Sequence, residues 1–208
     1  MPKRTFHLKN DKQDTITVSW KLAWKQTQIF FNDNLIGSLD GEKELKKGKV
    51  FEIDDFRKLS IKLKGKVLPE LELLINGKYI DGSPTDPTMQ LKGVYTLILV
   101  LAGLSVLVGT ITEVFQIEFL MNAGLGLGSI IVGTVMLGLG YWVSKRSMIA
   151  LALVFLIIIS DIVATFWMAT QTHASGSQGI VLKIFFLIYM FKGFGAIRKL
   201  KQTTEYSK

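Results

Sequence analysis

Apolar residues recur with two different periods along this chain, and the change falls close to residue 88. Ile16, Val18, Trp20, Leu22 and Trp24 occupy alternate positions, with Thr15, Thr17, Ser19, Lys21 and Lys25 among the residues between them. Period two marks a strand with one buried and one wet face. Residues 28–31 are a second apolar run. Asn32-Asp33-Asn34 ahead of Leu35-Ile36-Gly37 predicts a hairpin turn, because Asn and Asp tolerate positive φ. Residues 49–53 follow Gly48, and Leu59, Ile61 and Leu63 alternate with Ser60, Lys62 and Lys64. Residues 71–75 run into Asn76-Gly77, the strongest short hairpin dipeptide, with 78–80 as the return strand. Asp54-Asp55-Phe56 reads as a tight turn or short helix. About six short strands predict a small antiparallel all-β domain, sandwich-like, over residues 1–82.

Residues 83–90 read as a linker. Asp86 followed by Pro87 is a helix start: a side-chain cap, then a residue whose missing N–H costs nothing at the first helical position. Beyond it the alternation gives way to long apolar runs over about 91–112, 119–142, 147–170 and 178–197. Residues 93–112 are 20 positions without a charge, enough to cross a core of about 30 Å at about 1.5 Å per residue. The fourth run is interrupted by Lys183 and Lys192, and an interfacial helix is its alternative. The expected architecture is a β domain followed by a four-helix transmembrane bundle and a basic tail over 199–208.

Charge sharpens this division. Residues 1–88 hold 16 Lys/Arg and 13 Asp/Glu, whereas residues 89–208 hold 9 and 4. The net +8 therefore splits into +3 (16 minus 13) and +5 (9 minus 4). A domain of +3 is no basic nucleic-acid module, and nucleic acid is not an expected partner. Lys92, Lys145, Arg146, Arg198, Lys199 and Lys201 fall at one set of helix ends. The other connections carry Glu113 and Glu118, or the neutral 171–178 stretch with His173. The positive-inside rule then expects the β domain and both termini in the cytoplasm, with the bundle in the cell (inner or plasma) membrane. The charged start runs into Asp11, Lys12 and Asp14 rather than an apolar segment, so no signal peptide is expected.

A β domain ending in LELLINGKYIDGSPTDP, then four spans with YWVSKRSMIALAL entering the third and Asp161 inside it, resembles uncharacterised small bacterial four-span membrane proteins. The resemblance covers most of the chain and implies the architecture alone, with no activity.

Asp161 and Lys183 are the sharpest candidates for chemistry. Charges in hydrocarbon are costly and usually find a partner. Counted from the outer helix ends, Asp161 lies roughly 13 Å deep and Lys183 roughly 6–10 Å, depths that allow an ion pair. Asn122, Gly126, Ser129, Gly133, Met136 and Gly140 step by four and three along one seam of the second span, with Gly124 and Gly128 on another side. Small residues at such spacing permit close helix packing or a homo-oligomer. Lys62, Lys64 and Lys66 line one strand face, either a solvated mixed-charge surface or a basic one resting on anionic lipid.

Membrane-enzyme signatures are missing. The spans offer one carboxylate where aspartyl chemistry needs two, Ser129 has no His near it in sequence, and two isolated His with no Cys form no metal-ligand set. No cofactor is expected. The function expected is non-enzymatic: a membrane adaptor or sensor whose β module binds a protein, a lipid headgroup or a small ligand. A small oligomeric channel or transporter, with Asp161 and Lys183 near its pathway, is the alternative.

Overall fold

The computed structural model describes residues 1–8, 11–65, 69–122, 125–172 and 177–205. The chain divides into two compact units, Met1–Met89 and Gln90–Lys208.

The first unit is a two-sheet antiparallel β domain. β1 (Lys3–Leu8), β2 (Asp11–Ser19), β3 (Thr27–Phe31) and β4 (Asn34–Leu39) form one sheet in sequence order. A short helix, α1 (Glu42–Lys47), leads to β5 (Lys49–Glu52), β6 (Lys58–Lys64), β7 (Glu70–Ile75) and β8 (Lys78–Tyr79), again in order. Phe6, Ile16, Val18 and Ile29 from the first sheet share one buried cluster with Leu59, Ile61, Leu71 and Leu73 from the second, and Leu45 of α1 joins it. Both two-residue turns have the left-handed backbone their residues favour: Asn32 and Asp33 at φ 45° and 64°, Asn76 and Gly77 at 48° and 78°.

Eight strands replace the expected six, and the first strand lies elsewhere than its alternation suggests. β1 pairs Phe6 with Ile16, and its charged neighbours hide its period. β2 stops at Ser19, because the next residues must turn into β3. Trp20 and Trp24 consequently stack on one another, with ring centroids 4.8 Å apart, instead of lining a strand face. Leu22 is 89% exposed. Helix α1 has no strong sequence signal either; its one buried residue is Leu45, with charges filling the rest.

The second unit is a four-helix bundle built from α2 (Pro87–Val114), α4 (Leu127–Ser144), α5 (Met148–Thr172) and α6 (Ser177–Glu205), with α3 (Glu118–Asn122) as a short helix between α2 and α4. Asp86 Oδ1 accepts the Thr88 N–H at 2.9 Å, capping the start of α2. Four helices are long and apolar enough to cross a membrane, over Pro87–Val114, Leu127–Ser144, Met148–Trp167 and Ile180–Gln202. In each, only 22% of the most apolar window is buried within the protein, so the outer faces are left to lipid. This is a multi-pass membrane protein.

The run at 119–142 is not one helix. α3 ends at Asn122 and α4 starts at Leu127, with Gly126 (φ −129°, ψ −138°) as its N-cap. Glycines weaken a helix by about 1 kcal/mol each relative to Ala, and Gly124, Gly126 and Gly128 concentrate that cost in one turn. The shortened α4 has 18 residues, roughly 27 Å, still sufficient for a thin span.

Glycines set the packing. A Cβ on Gly133 would lie 2.9 Å from Ala102 O and 3.1 Å from Val106 N, so α4 meets the backbone of α2 there. Gly140 faces Ile98 and Leu99 of α2, and Gly109 of α2 faces Ile130 of α4. Gly193 of α6 sits against both Val94 of α2 and Leu151 of α5. Phe155 of α5 packs edge-on to Phe191 and Phe194 of α6. Among the described residues the buried bundle interior is apolar apart from Thr112.

Candidate functional site

Asp161 and Lys183 meet at the α5–α6 contact. Lys183 Nζ lies 2.8 Å from Asp161 Oδ2 and donates to Thr165 Oγ1 at 2.8 Å. Thr165 Oγ1 in turn donates to the Asp161 main-chain carbonyl one turn back, at 2.7 Å. The three groups close a small polar ring, and helical spacing of four is what brings Thr165 beside Asp161. The ring does not face the bundle axis. The Asp161 side chain is 56% exposed and that of Lys183 26%, on the outer surface of the bundle. Val163, Phe166 and Val181, on the same stretches of α5 and α6, are exposed as well. Chemically the ring holds a fixed charge pair whose carboxylate is more exposed than its ammonium.

The glycine seam divides in two. Gly133 and Gly140 are buried against α2, with Met136 between them. Gly126 faces Glu113 of α2, with Oε2 3.3 Å from where its Cβ would stand. Gly128 instead opens on nothing within 4 Å, and so does Gly138. Ser129 is the third residue of α4, its N–H donating to Gly126 O at 3.0 Å. Asn122 is the last residue of α3, its side chain outside the described residues, as is Gly124.

In the β domain the expected basic face is half matched by acid. Lys62 stands opposite Glu72 in register, and Lys64 Nζ lies 2.7 Å from Glu72 Oε1. Lys66 lies outside the described residues. Glu72 is only 4% exposed, so Lys64 supplies the cation that this buried carboxylate needs.

A second charged cluster escaped the sequence reading. Arg57, after β5, binds Asp14 of β2 and Asp54 of its own turn, with Nε to Asp54 Oδ2 at 2.7 Å, and its guanidinium lies 5.1 Å from the Phe31 ring centre. One side chain thus ties the two sheets together. The Arg57 hydrogen bond is the main cause that holds each carboxyl below its ordinary value, with Asn32 helping at Asp14 and the Phe56 and Arg57 N–H groups at Asp54. The available signal was parity: Asp14 shares its strand face with Ile16 and Val18, and a carboxylate on the core side of a strand needs a cation.

Comparison of the chain with family models, curated proteins and solved structures finds no match.

Proposed function

We propose that this protein is a non-enzymatic, membrane-anchored adaptor or sensor. Its β module binds the partner, be that a protein, a lipid headgroup or a small ligand, and the bundle anchors it. One observation carries the reading: apart from Thr112 the described interior of the bundle is apolar, so a single copy offers no continuous wet path for a solute. The self-contained β core, which draws on residues 6–80 alone, supplies a binding module in its own right. By the positive-inside rule, Lys145, Arg146, Arg198, Lys199 and Lys201 put both termini and the β domain on the cytoplasmic side of the cell membrane.

A second reading rests on the outward Asp161. A carboxylate turned toward lipid is expensive, and an oligomer that closed around the α5–α6 face would give it an aqueous axis and make a small channel. Stoichiometry in lipid nanodiscs, measured by mass photometry beside ion conductance in planar bilayers, separates the two. A silent monomer sustains the anchored module. A conducting ring whose current is lost in D161N replaces it with the channel.

A further inference from the structure

We propose that the loop joining β2 to β3 is a docking tip that seats the β domain on an anionic bilayer surface. Residues 20–26 carry two lysines and no carboxylate, and Leu22 at the tip is 89% exposed, more than any other large apolar residue described. That exposure is built in. The Lys21 N–H donates to Lys25 O at 2.8 Å, the Thr27 hydroxyl donates to Trp24 O at 2.8 Å, and the Trp20 N–H donates to Pro2 O at 3.1 Å. Beneath the tip the stacked Trp20 and Trp24 rest on the β core.

Three non-glycine residues, Ala23, Trp24 and Gln26, hold left-handed φ values of 55°, 62° and 48° to keep this shape. Such strain persists where the surrounding structure fixes it, and it concentrates at functional sites. Here its product is a leucine held in water, which contributes nothing to the domain's own core. The strain is offset when Leu22 leaves water.

Strand pairing surrounds the tip with charge. Lys3 pairs with Ser19 and Arg4 with Val18, so both join Lys21 and Lys25 at this end of the sheet. Asp40, following Leu39 opposite Thr27, comes to the same end and donates its N–H to Glu44 Oε2 at 2.9 Å, so two carboxylates stand against the four cations there. An apolar tip, indoles one level below and a collar of cations match the layers of an anionic interface: acyl chains, headgroup region and negative surface. Four cations around one leucine favour a charged sheet over a neutral protein groove. The chain also supplies the bilayer, since six residues separate Ile80, the last core residue of the β domain, from Pro87, where the first span begins. Fully extended they reach about 20 Å. This inference rests on the anchored-module reading, which stoichiometry tests separately.

The chain has no Cys, so Leu22→Cys creates a single site for a nitroxide label in the full-length protein. Phe56→Cys is the control. Phe56 is 87% exposed and precedes Arg57, which binds Asp14 at the far end of β2. Each labelled protein is placed in nanodiscs of equal parts phosphatidylcholine and phosphatidylserine, and collisions with oxygen and with a water-soluble nickel chelate are compared. Oxygen is expected to dominate at position 22 and nickel at position 56. Combining Lys21→Glu with Lys25→Glu should weaken docking by at least about twenty-five-fold, about fivefold for each lysine lost, and return position 22 to water. Nickel access at position 22 equal to that at 56 would overturn the proposal. So would shielding from both probes, which marks a protein surface, or equal insertion in phosphatidylcholine alone. Bromolipid quenching of Trp20 and Trp24 in a Trp142→Phe, Trp167→Phe protein repeats the test with the tip untouched.

Discussion

Asp161 costs about 2.5–3.5 kcal/mol to place in a span on insertion scales, and its ring with Lys183 and Thr165 offsets part of that cost. D161N removes the counter-charge and leaves the ammonium with neutral acceptors only. We expect a loss of about 1–2 kcal/mol, read as a lower melting midpoint in lipid nanodiscs, with the exchanged pair Asp161→Lys, Lys183→Asp recovering most of it. An unchanged midpoint in D161N would show that the pair holds nothing together. Arg57 makes the second residue-scale prediction. The carboxyls of Asp14 and Asp54 are depressed in the folded state, so their contribution is complete above the unfolded value of about 3.9 and fades as pH falls through the lower folded values. Arg57→Gln should lower the β-domain melting midpoint at neutral pH and flatten its decline in acid. Equally steep acid profiles would place the acid-sensitive groups elsewhere. Asp161 and Lys183 stood out in the sequence because any charge in an apolar run does. Arg57 did not, since a cation in a polar turn looks solvated until the fold brings Asp14 to it across 43 residues.

At the scale of elements, backbone proximity decides which glycines matter. Gly133→Ala pushes a methyl group against Ala102 O and Val106 N, atoms that cannot move without moving α2. The expected cost is about 1–3 kcal/mol, seen as reduced thermal stability of the full chain. Gly138→Ala, which meets nothing within 4 Å, should cost no stability in a monomer and should gain up to about 1 kcal/mol from its helix propensity. A change of oligomeric state in Gly138→Ala alone would mark the outer face of α4 as a subunit contact. The strands and spans were legible where pattern and turn chemistry agreed, as at Leu59, Ile61 and Leu63 leading toward Asn76-Gly77. They were illegible where one pattern served two purposes. Trp20, Leu22 and Trp24 keep strand spacing while forming a turn, and the Gly124–Gly126–Gly128 run keeps an apolar character that hides the end of α3. Periodicity reports which residues avoid water, whereas a turn depends on where the next strand must begin.

At the scale of the molecule, the chain divides between a domain with its own core and a bundle whose described interior is apolar apart from Thr112. The architecture could be read from the chain because water and lipid impose different periods on it. The orientation of the Asp161 ring could not, since depth along a helix is linear in sequence and azimuth depends on which neighbours pack. The two meanders have a further consequence, in time. Within each sheet every strand pairs with its neighbour in sequence, so backbone pairing waits for no distant segment and only the packing of one sheet on the other does. The last core residue, Ile80, is synthesised before the first residue of the first span. The β core and the bundle core share no residue, so folding of the one and insertion of the other draw on separate apolar residues.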